Sequence, residues 1–110
     1  MANETPHNND ELILIVAPNG AYKQADQHPA LPLTPRTLAS TARRCLDAGA
    51  AMLHLHVRRP DGAHSLESQD YRDAIAAVKK AVGDHMVIQI TTEAARVYSP
   101  PAQMAVVREL

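Results

Sequence analysis

Two histidines at alternate positions are the residues of this sequence best suited to chemistry. They occur in "HLHVR", residues 54–58, directly after the small and apolar residues "GAAM". In a strand successive side chains point to opposite faces, so His54, His56 and Arg58 are expected to share one face. Two imidazoles so spaced can reach one ion, and zinc accepts nitrogen ligands in tetrahedral geometry. The spacing predicts His54 and His56 as metal ligands; the alternative is two histidines that are hydrogen-bonded to neighbouring polar groups.

Polar residues near two predicted strand ends are candidates for substrate binding. Arg58 could bind an anionic group through a bidentate contact, or it could form a salt bridge to Glu93 or Asp61. Asn19 and Gly20 follow the first apolar run, and their backbone amides could face an oxyanion or simply form a tight turn. We therefore retain Arg58 and Asn19 as candidate substrate-binding residues.

A third polar face comes from "VIQITTE". Gln89, Thr91 and Glu93 alternate along this segment, so they are predicted to form a pocket wall beside the histidine strand. The alternative is that Gln89 and Thr91 hydrogen-bond to each other. His28 and His64 lie in predicted loops that could reach the same place, although such residues are more often ordinary polar loop positions.

The order of predicted elements is βαβαβα, which positions these groups. Apolar runs predict strands over residues 12–17, 51–57 and 86–93. Helices are expected from Thr34-Pro35 to Gly49, from Ser68 to Gly83, and onward from Ser99-Pro100, with Met104, Val107 and Leu110 on one side of the last. Asp61-Gly62 marks a turn-rich loop between the second strand and the second helix. This alternation indicates an α/β protein with a parallel sheet, in which ligands bind beyond the carboxyl ends of the strands.

Length and composition narrow the class of protein. The chain has 110 residues, of which 45% are hydrophobic, and a net charge of -1 that gives no electrostatic footprint for nucleic acid. No apolar stretch approaches the ~20 residues needed to cross a bilayer. The single cysteine fits a reducing compartment, and residues 1–11 read as a disordered, solvated tail rather than a signal peptide. These features predict a soluble cytoplasmic protein without nucleic-acid or membrane partners.

Several motifs in a fixed order also carry a family resemblance. "ILIVAPNGA", "HPALPLTP", "DAGAAMLHLHVRRPDGAHSL" and "VIQITTEA" together resemble the N-terminal part of the β-keto acid cleavage enzymes, which include 3-keto-5-aminohexanoate cleavage enzyme. The resemblance implies a (β/α)₈ TIM barrel of which residues 12–110 would form about the first three βα units. It also implies a zinc-dependent homo-oligomer that converts a β-keto acid and acetyl-CoA into acetoacetate and a new acyl-CoA. His54 and His56 match the family's zinc-binding histidines, and Thr91 matches the hydroxyl residue that contacts the carboxylate end of the substrate.

The sequence departs from the family pattern at four positions. Thr92 and Glu93 stand where some members have "TGG", Tyr22 stands where some have glutamate, and Arg59 stands where an acidic residue is expected in close relatives. The family's remaining zinc ligand and its catalytic arginine and aspartate belong to later strands, so we expect these 110 residues alone to be inactive. The alternative function is a non-catalytic remnant or assembly module that pairs its open sheet edges with another chain.

Overall fold

A computed structural model describes residues 11–110 of the protein. The predicted tail, residues 1–11, lies outside this range except for Glu11. In chain order the elements are β1 (Ile15–Val16), α1 (Pro35–Asp47), β2 (Met52–Leu55), β3 (Val57–Arg58), β4 (His64–Ser65), α2 (Ser68–Val82), β5 (Val87–Ile90) and α3 (Pro100–Glu109). The alternation of strands and helices confirms the predicted α/β class.

A three-stranded parallel sheet in the order β1-β2-β5 is the centre of the fold. Met52 of β2 is aligned with Ile15 on one side and Val87 on the other, and His54 is aligned with Gln89. Because aligned residues of neighbouring strands point to the same face, this register determines which side chains form each face of the sheet.

Helices α1 and α3 begin directly after the predicted capping residues, Thr34 and Ser99. Thr34 caps α1 in a capping box with Thr37, and Pro35 occupies the first turn, where its missing N–H has no partner to lose. Ser99 caps α3 by accepting one hydrogen bond from the Ala102 amide, and Pro100 occupies the first turn. Helix α2 begins at Ser68 and ends before Gly83, whose φ of 61° suits glycine.

All three helices contribute to one hydrophobic core on one face of the sheet. Leu53 and Leu55 of β2 are fully buried in a cluster with side chains from α1, α2 and α3. The α2 side chains of this cluster, among them Tyr71 and Val78, recur at helical spacing. On α3 the buried residue is Val106, whereas the predicted side of Met104, Val107 and Leu110 is exposed.

The first strand differs from its prediction in length and burial. An apolar run over residues 12–17 predicted a strand buried on both faces, but β1 has two residues and Leu12 through Ile15 are exposed. Its hydrogen-bonding partner is β2, on one edge only, and within residues 11–110 no strand pairs with its other edge. An apolar run therefore indicated a strand without indicating what would cover it.

The second strand is split. Residues 51–57 were predicted as one strand, but β2 ends at Leu55, and β3 turns away to pair with β4 in an antiparallel hairpin. The predicted loop around Asp61-Gly62 is the turn of this hairpin, closed by hydrogen bonds from the Gly62 amide to Arg59 and from the Arg59 amide to Ala63. Gly62 has a φ of 90°, and a Cβ there would lie 2.5 Å from Oε1 of Gln24. The prediction of a single strand was wrong because β3 pairs with β4 rather than with the sheet.

Within residues 11–110, no helix combines the length and apolar character that a membrane crossing needs.

Candidate functional site

His54 lies near the carboxyl end of β2, and Gln89 of β5 fixes its ring. Their side chains are aligned in the sheet, and Nδ1 of His54 lies 2.7 Å from Oε1 of Gln89. An amide oxygen can only accept, so Nδ1 carries the proton and the lone pair remains on Nε2. A histidine whose second nitrogen donates to a neighbouring oxygen is the usual arrangement for a metal ligand.

His56 lies at the junction between β2 and β3, with its ring centroid 5.2 Å from that of His54. The residue is only 8% exposed, and its Nδ1 has no hydrogen-bond partner within residues 11–110. Burial, followed by the nearby charges of His64, His54 and Arg58, lowers the pKa of His56 to about 4. The ring is therefore neutral at neutral pH and has a lone pair to donate.

The hairpin brings a third imidazole to this cluster. His64 of β4 has its ring centroid 5.5 Å from that of His56, and its Nε2 lies 2.7 Å from the backbone oxygen of Glu93. That contact requires a proton on Nε2, while Nδ1 is buried without a partner in the described part of the chain. Burial lowers the pKa of His64 as well. Sequence reasoning placed His64 only in a reachable loop, because the β3-β4 pairing was missed.

Arg58 holds the loops behind the histidines. Its guanidinium donates five hydrogen bonds to backbone oxygens: from Nε and Nη2 to Gly20, from Nη2 to Asn19, and from Nη1 to Lys23 and Gly62, over 2.8–3.3 Å. Arginine has five N–H donors, so all of them are used by the backbone. Burial lowers the pKa of Arg58, and the predicted salt bridge to Glu93 or Asp61 is not formed. Direct substrate binding by Arg58 stays a prediction, and in this arrangement no N–H is left for it.

Asn19 and Thr91 are both buried beside the cluster. Nδ2 of Asn19 donates to the backbone oxygen of His56 over 3.0 Å, and its Oδ1 has no partner among the described residues. Oγ1 of Thr91 accepts from the Glu93 amide over 3.0 Å, and the Thr91 backbone oxygen accepts from the Tyr71 hydroxyl over 2.8 Å. The alternative in which Gln89 bonds to Thr91 is wrong, since Gln89 contacts His54. The substrate-binding roles of Asn19 and Thr91 stay predictions.

His28 lies apart from the rings just described. It is exposed in the long loop before α1, where its Nδ1 accepts a hydrogen bond from the Ala30 amide over 3.1 Å. This local contact is typical of a polar loop residue.

The imidazoles of His54 and His56 suit a metal ion but do not complete a site. Within residues 11–110 no group of three or more His, Cys, Asp or Glu residues is arranged to hold a metal. His54 is oriented by Gln89, and His56 has a buried nitrogen that lacks a partner, which a metal would satisfy. Zinc generally takes four ligands, so the remaining donors would have to come from elsewhere.

Comparison with known proteins supports the resemblance. Residues 11–110 match the family model of the beta-keto acid cleavage enzymes. The chain is 34% identical over 83 residues to a 3-keto-5-aminohexanoate cleavage enzyme of Fusobacterium nucleatum subsp. nucleatum, a match that covers 76% of this chain and 30% of that relative. It is 33% identical over 78 residues to the enzyme of the same name from Acetoanaerobium sticklandii, covering 71% and 29%. It is also 34% identical over 82 residues to a 3,5-dioxohexanoate:acetyl-CoA acetone transferase of Paraburkholderia graminis, covering 74% and 26%. The chain thus spans less than a third of the length of these relatives.

Proposed function

The chain belongs to the β-keto acid cleavage enzyme family, and on this premise we propose that it supplies two zinc ligands, His54 and His56, to such an enzyme. The proposed reaction converts a β-keto acid and acetyl-CoA into acetoacetate and a new acyl-CoA. The observation that carries the proposal is the pair of imidazoles with ring centroids 5.2 Å apart at the carboxyl end of β2, where burial lowers the pKa of His56 to about 4. The relatives' names support the substrate class, since they describe cleavage of a keto acid and transfer involving acetyl-CoA.

The residues of this chain would orient the metal and the substrate. When bound, zinc would act as a Lewis acid toward the β-keto oxygen. Gln89 keeps the proton of His54 on Nδ1, so that Nε2 is free to coordinate. Thr91, directly after β5, would present its hydroxyl to the carboxylate end of the substrate. Arg58 acts as a positioning residue that holds Asn19 against the backbone of His56.

The bare face of the sheet supports a (β/α)₈ barrel for the complete enzyme. The helices cover the face of Leu53 and Leu55, while His54 and Gln89 point to the face without helices. In a barrel that second face is the interior, and the carboxyl ends of its strands carry the active site. We propose that further strands supply the missing zinc ligand and catalytic groups, and that this 110-residue chain alone is inactive. The single cysteine and the exposed apolar side chains further support a cytoplasmic homo-oligomer.

The test is zinc content. The purified 110-residue chain should hold about one zinc, completed by water or another chain, and the His54→Ala, His56→Ala double variant should hold none. A matched double variant, His28→Ala with His85→Ala, removes two exposed imidazoles and should keep the metal. Elemental analysis after extensive dialysis gives the stoichiometry, and circular dichroism shows whether each variant is folded.

One observation favours a second candidate, the non-catalytic assembly module. Ile15 and Val87, on the two outer strands of the sheet, are 55% and 58% exposed, and outer strands offer unpaired backbone groups to another chain. Absence of zinc from the wild-type chain, together with self-association that the histidine substitutions leave unchanged, would favour this module over the enzyme. A monomeric chain that unfolds cooperatively and binds no zinc would contradict both candidates.

A further inference from the structure

A cavity of about 340 Å³ is lined in part by His64, whose ring centroid lies 5.5 Å from that of His56. Its polar lining comes from Tyr22, Gln24, Arg59, His64 and Tyr98, and Ala95 forms part of the floor. Arg59 follows Arg58 directly, but the two arginines differ in what they contact. Arg58 is enclosed by backbone oxygens, whereas Arg59 is exposed at the wall of this cavity.

Arg59 is held in place by one hydrogen bond. Its Nη2 donates to the Tyr98 hydroxyl over 2.8 Å, and that hydroxyl donates to the backbone oxygen of His64 over 3.1 Å. Within residues 11–110, the other side-chain N–H groups of Arg59 have no hydrogen-bond partner, and no carboxylate lies within 4.0 Å. The guanidinium is therefore fixed in direction while most of its donors are free.

Two carboxylates near the cavity have hydrogen-bond partners other than Arg59. Glu93 accepts a hydrogen bond from the Tyr22 hydroxyl over 3.3 Å, and Asp61 accepts from the Ala63 amide over 2.9 Å. The hydrogen bond to Tyr98 raises the pKa of Arg59, and the charges of Asp61 and Glu67 add to the effect. Arg59 is thus a permanent cation whose charge is not cancelled by an ion pair.

The backbone at Ala95, which lines the cavity, has an unusual conformation. Ala95 and Arg96 both have positive φ, 49° and 64°, and two consecutive non-glycine residues rarely adopt this conformation. The turn is closed by the amides of Val97 and Tyr98, which both donate to the Ala94 oxygen over 3.0 Å. Such costly backbone conformations are concentrated at ligand-binding sites.

We propose that this cavity binds an anionic group, a carboxylate or a phosphate, of the ligand whose reacting end lies at His54 and His56. A planar guanidinium with free N–H groups binds either anion through paired hydrogen bonds. The group would be the second carboxylate of a dicarboxylic β-keto acid or a phosphate of the CoA thioester. Tyrosine faces alone would also suit a cation, but the unpaired Arg59 repels one. This inference rests on the proposed function, because the two sites share the His64 wall.

The experiment is a titration of the 110-residue chain with three probes: glutarate, inorganic phosphate and tetramethylammonium. The observed signals are the Arg59 Nε–H and the backbone amides of Ala95 and Tyr98 in ¹⁵N-resolved NMR spectra. The variant is Arg59→Gln, and the control is Arg36→Gln, which removes the same charge from an exposed position on α1. We expect one anion to shift the cavity signals, with affinity falling about tenfold or more in Arg59→Gln and unchanged in Arg36→Gln.

The three probes distinguish the possible sources of the anion. Binding of glutarate that depends on Arg59 supports a dicarboxylic substrate, and the same dependence for phosphate supports the CoA thioester as the source of the anion. Absence of binding by both anions, equal losses in the two variants, or binding of tetramethylammonium in the cavity would overturn the inference.

A zinc titration of the same samples separates this inference from the proposed function. Arg59→Gln should bind zinc as the wild type does, since Arg59 does not contact His54 or His56. Anion binding in a chain that holds no zinc would support the cavity as an anion site and contradict the proposed zinc-dependent function. Zinc binding without anion binding would overturn the inference about the cavity and leave the proposed function standing.

Discussion

The two faces of the β1-β2-β5 sheet belong to the same strands but have different surroundings. On one face Leu53 and Leu55 are fully buried beneath the helices. On the other face Ile15 and Val87 are 55% and 58% exposed, and His54 is partly exposed. One face is therefore packed within this chain, and the other presents its side chains without a covering layer in the part of the chain that the structure describes.

The bare face is itself divided into two rows. The register places Ile15, Met52 and Val87 in one row, and His54 and Gln89 in the next row toward the carboxyl ends. Apolar side chains thus occupy the row nearer the amino ends of the strands, and polar side chains occupy the row nearer the carboxyl ends. This is the division expected of a parallel α/β protein, in which the lower layer packs and the carboxyl ends carry chemistry.

The largest effect should come from the packed face. Leu53→Ala should lower the free energy of unfolding by about 3 kcal/mol, because a fully buried leucine leaves a cavity when it is truncated. Val87→Ala, in the neighbouring strand but on the bare face, should change it by less than about 1 kcal/mol. Urea denaturation followed by circular dichroism measures both values. Equal losses in the two variants would show that the bare face is covered in solution.

A smaller loss of stability is expected when Arg58 is replaced. Arg58→Met should lower the free energy of unfolding by about 2 kcal/mol, because the backbone oxygens of Asn19, Gly20 and Gly62 would lose their donor. The exposed neighbour provides the control, since Arg59→Met removes the same charge and one hydrogen bond at the surface. The same urea series compares the two variants. A stable Arg58→Met chain would mean that water replaces the guanidinium in the loops.

Much of the helical structure could be predicted because its signals are local. Thr34-Pro35, Gly83 and Ser99-Pro100 each define a helix end through capping or backbone geometry that depends on a few adjacent residues. The alternation of His54 with Leu53 and Leu55 likewise predicted which side chains would face the helices. Local periodicity was sufficient for these features.

The β3-β4 hairpin could not be predicted in this way because it depends on pairing between short segments. Two-residue strands carry no periodic signal, and Val57 continues the apolar alternation of β2. As a result the place of His64 beside His56 was missed, as was the enclosure of Arg58 by backbone oxygens. The Asp61-Gly62 pair, a common hairpin turn, was the one sequence signal that could have indicated the pairing of Val57 with Ser65.

The smallest effect concerns acid, which should act through the buried His56 just beyond the end of β2. His56 has a pKa of about 4 in the folded chain, below its ordinary value of 6.5, because of burial and then the charges of His64, His54 and Arg58; Glu93 opposes them. Between about pH 6.5 and pH 4 the unfolded chain therefore binds a proton that the folded chain does not, so stability falls as the pH is lowered. We expect a loss of about 1 to 2 kcal/mol across this window in metal-free buffer, after allowance for solvent screening. Urea denaturation at several pH values should show a flatter profile for His56→Gln, whereas His85→Gln at an exposed position should keep the wild-type slope. If the two variants gave the same slope, the acid sensitivity would have to arise away from the strand ends, and the contrast between the two faces would not extend to charge.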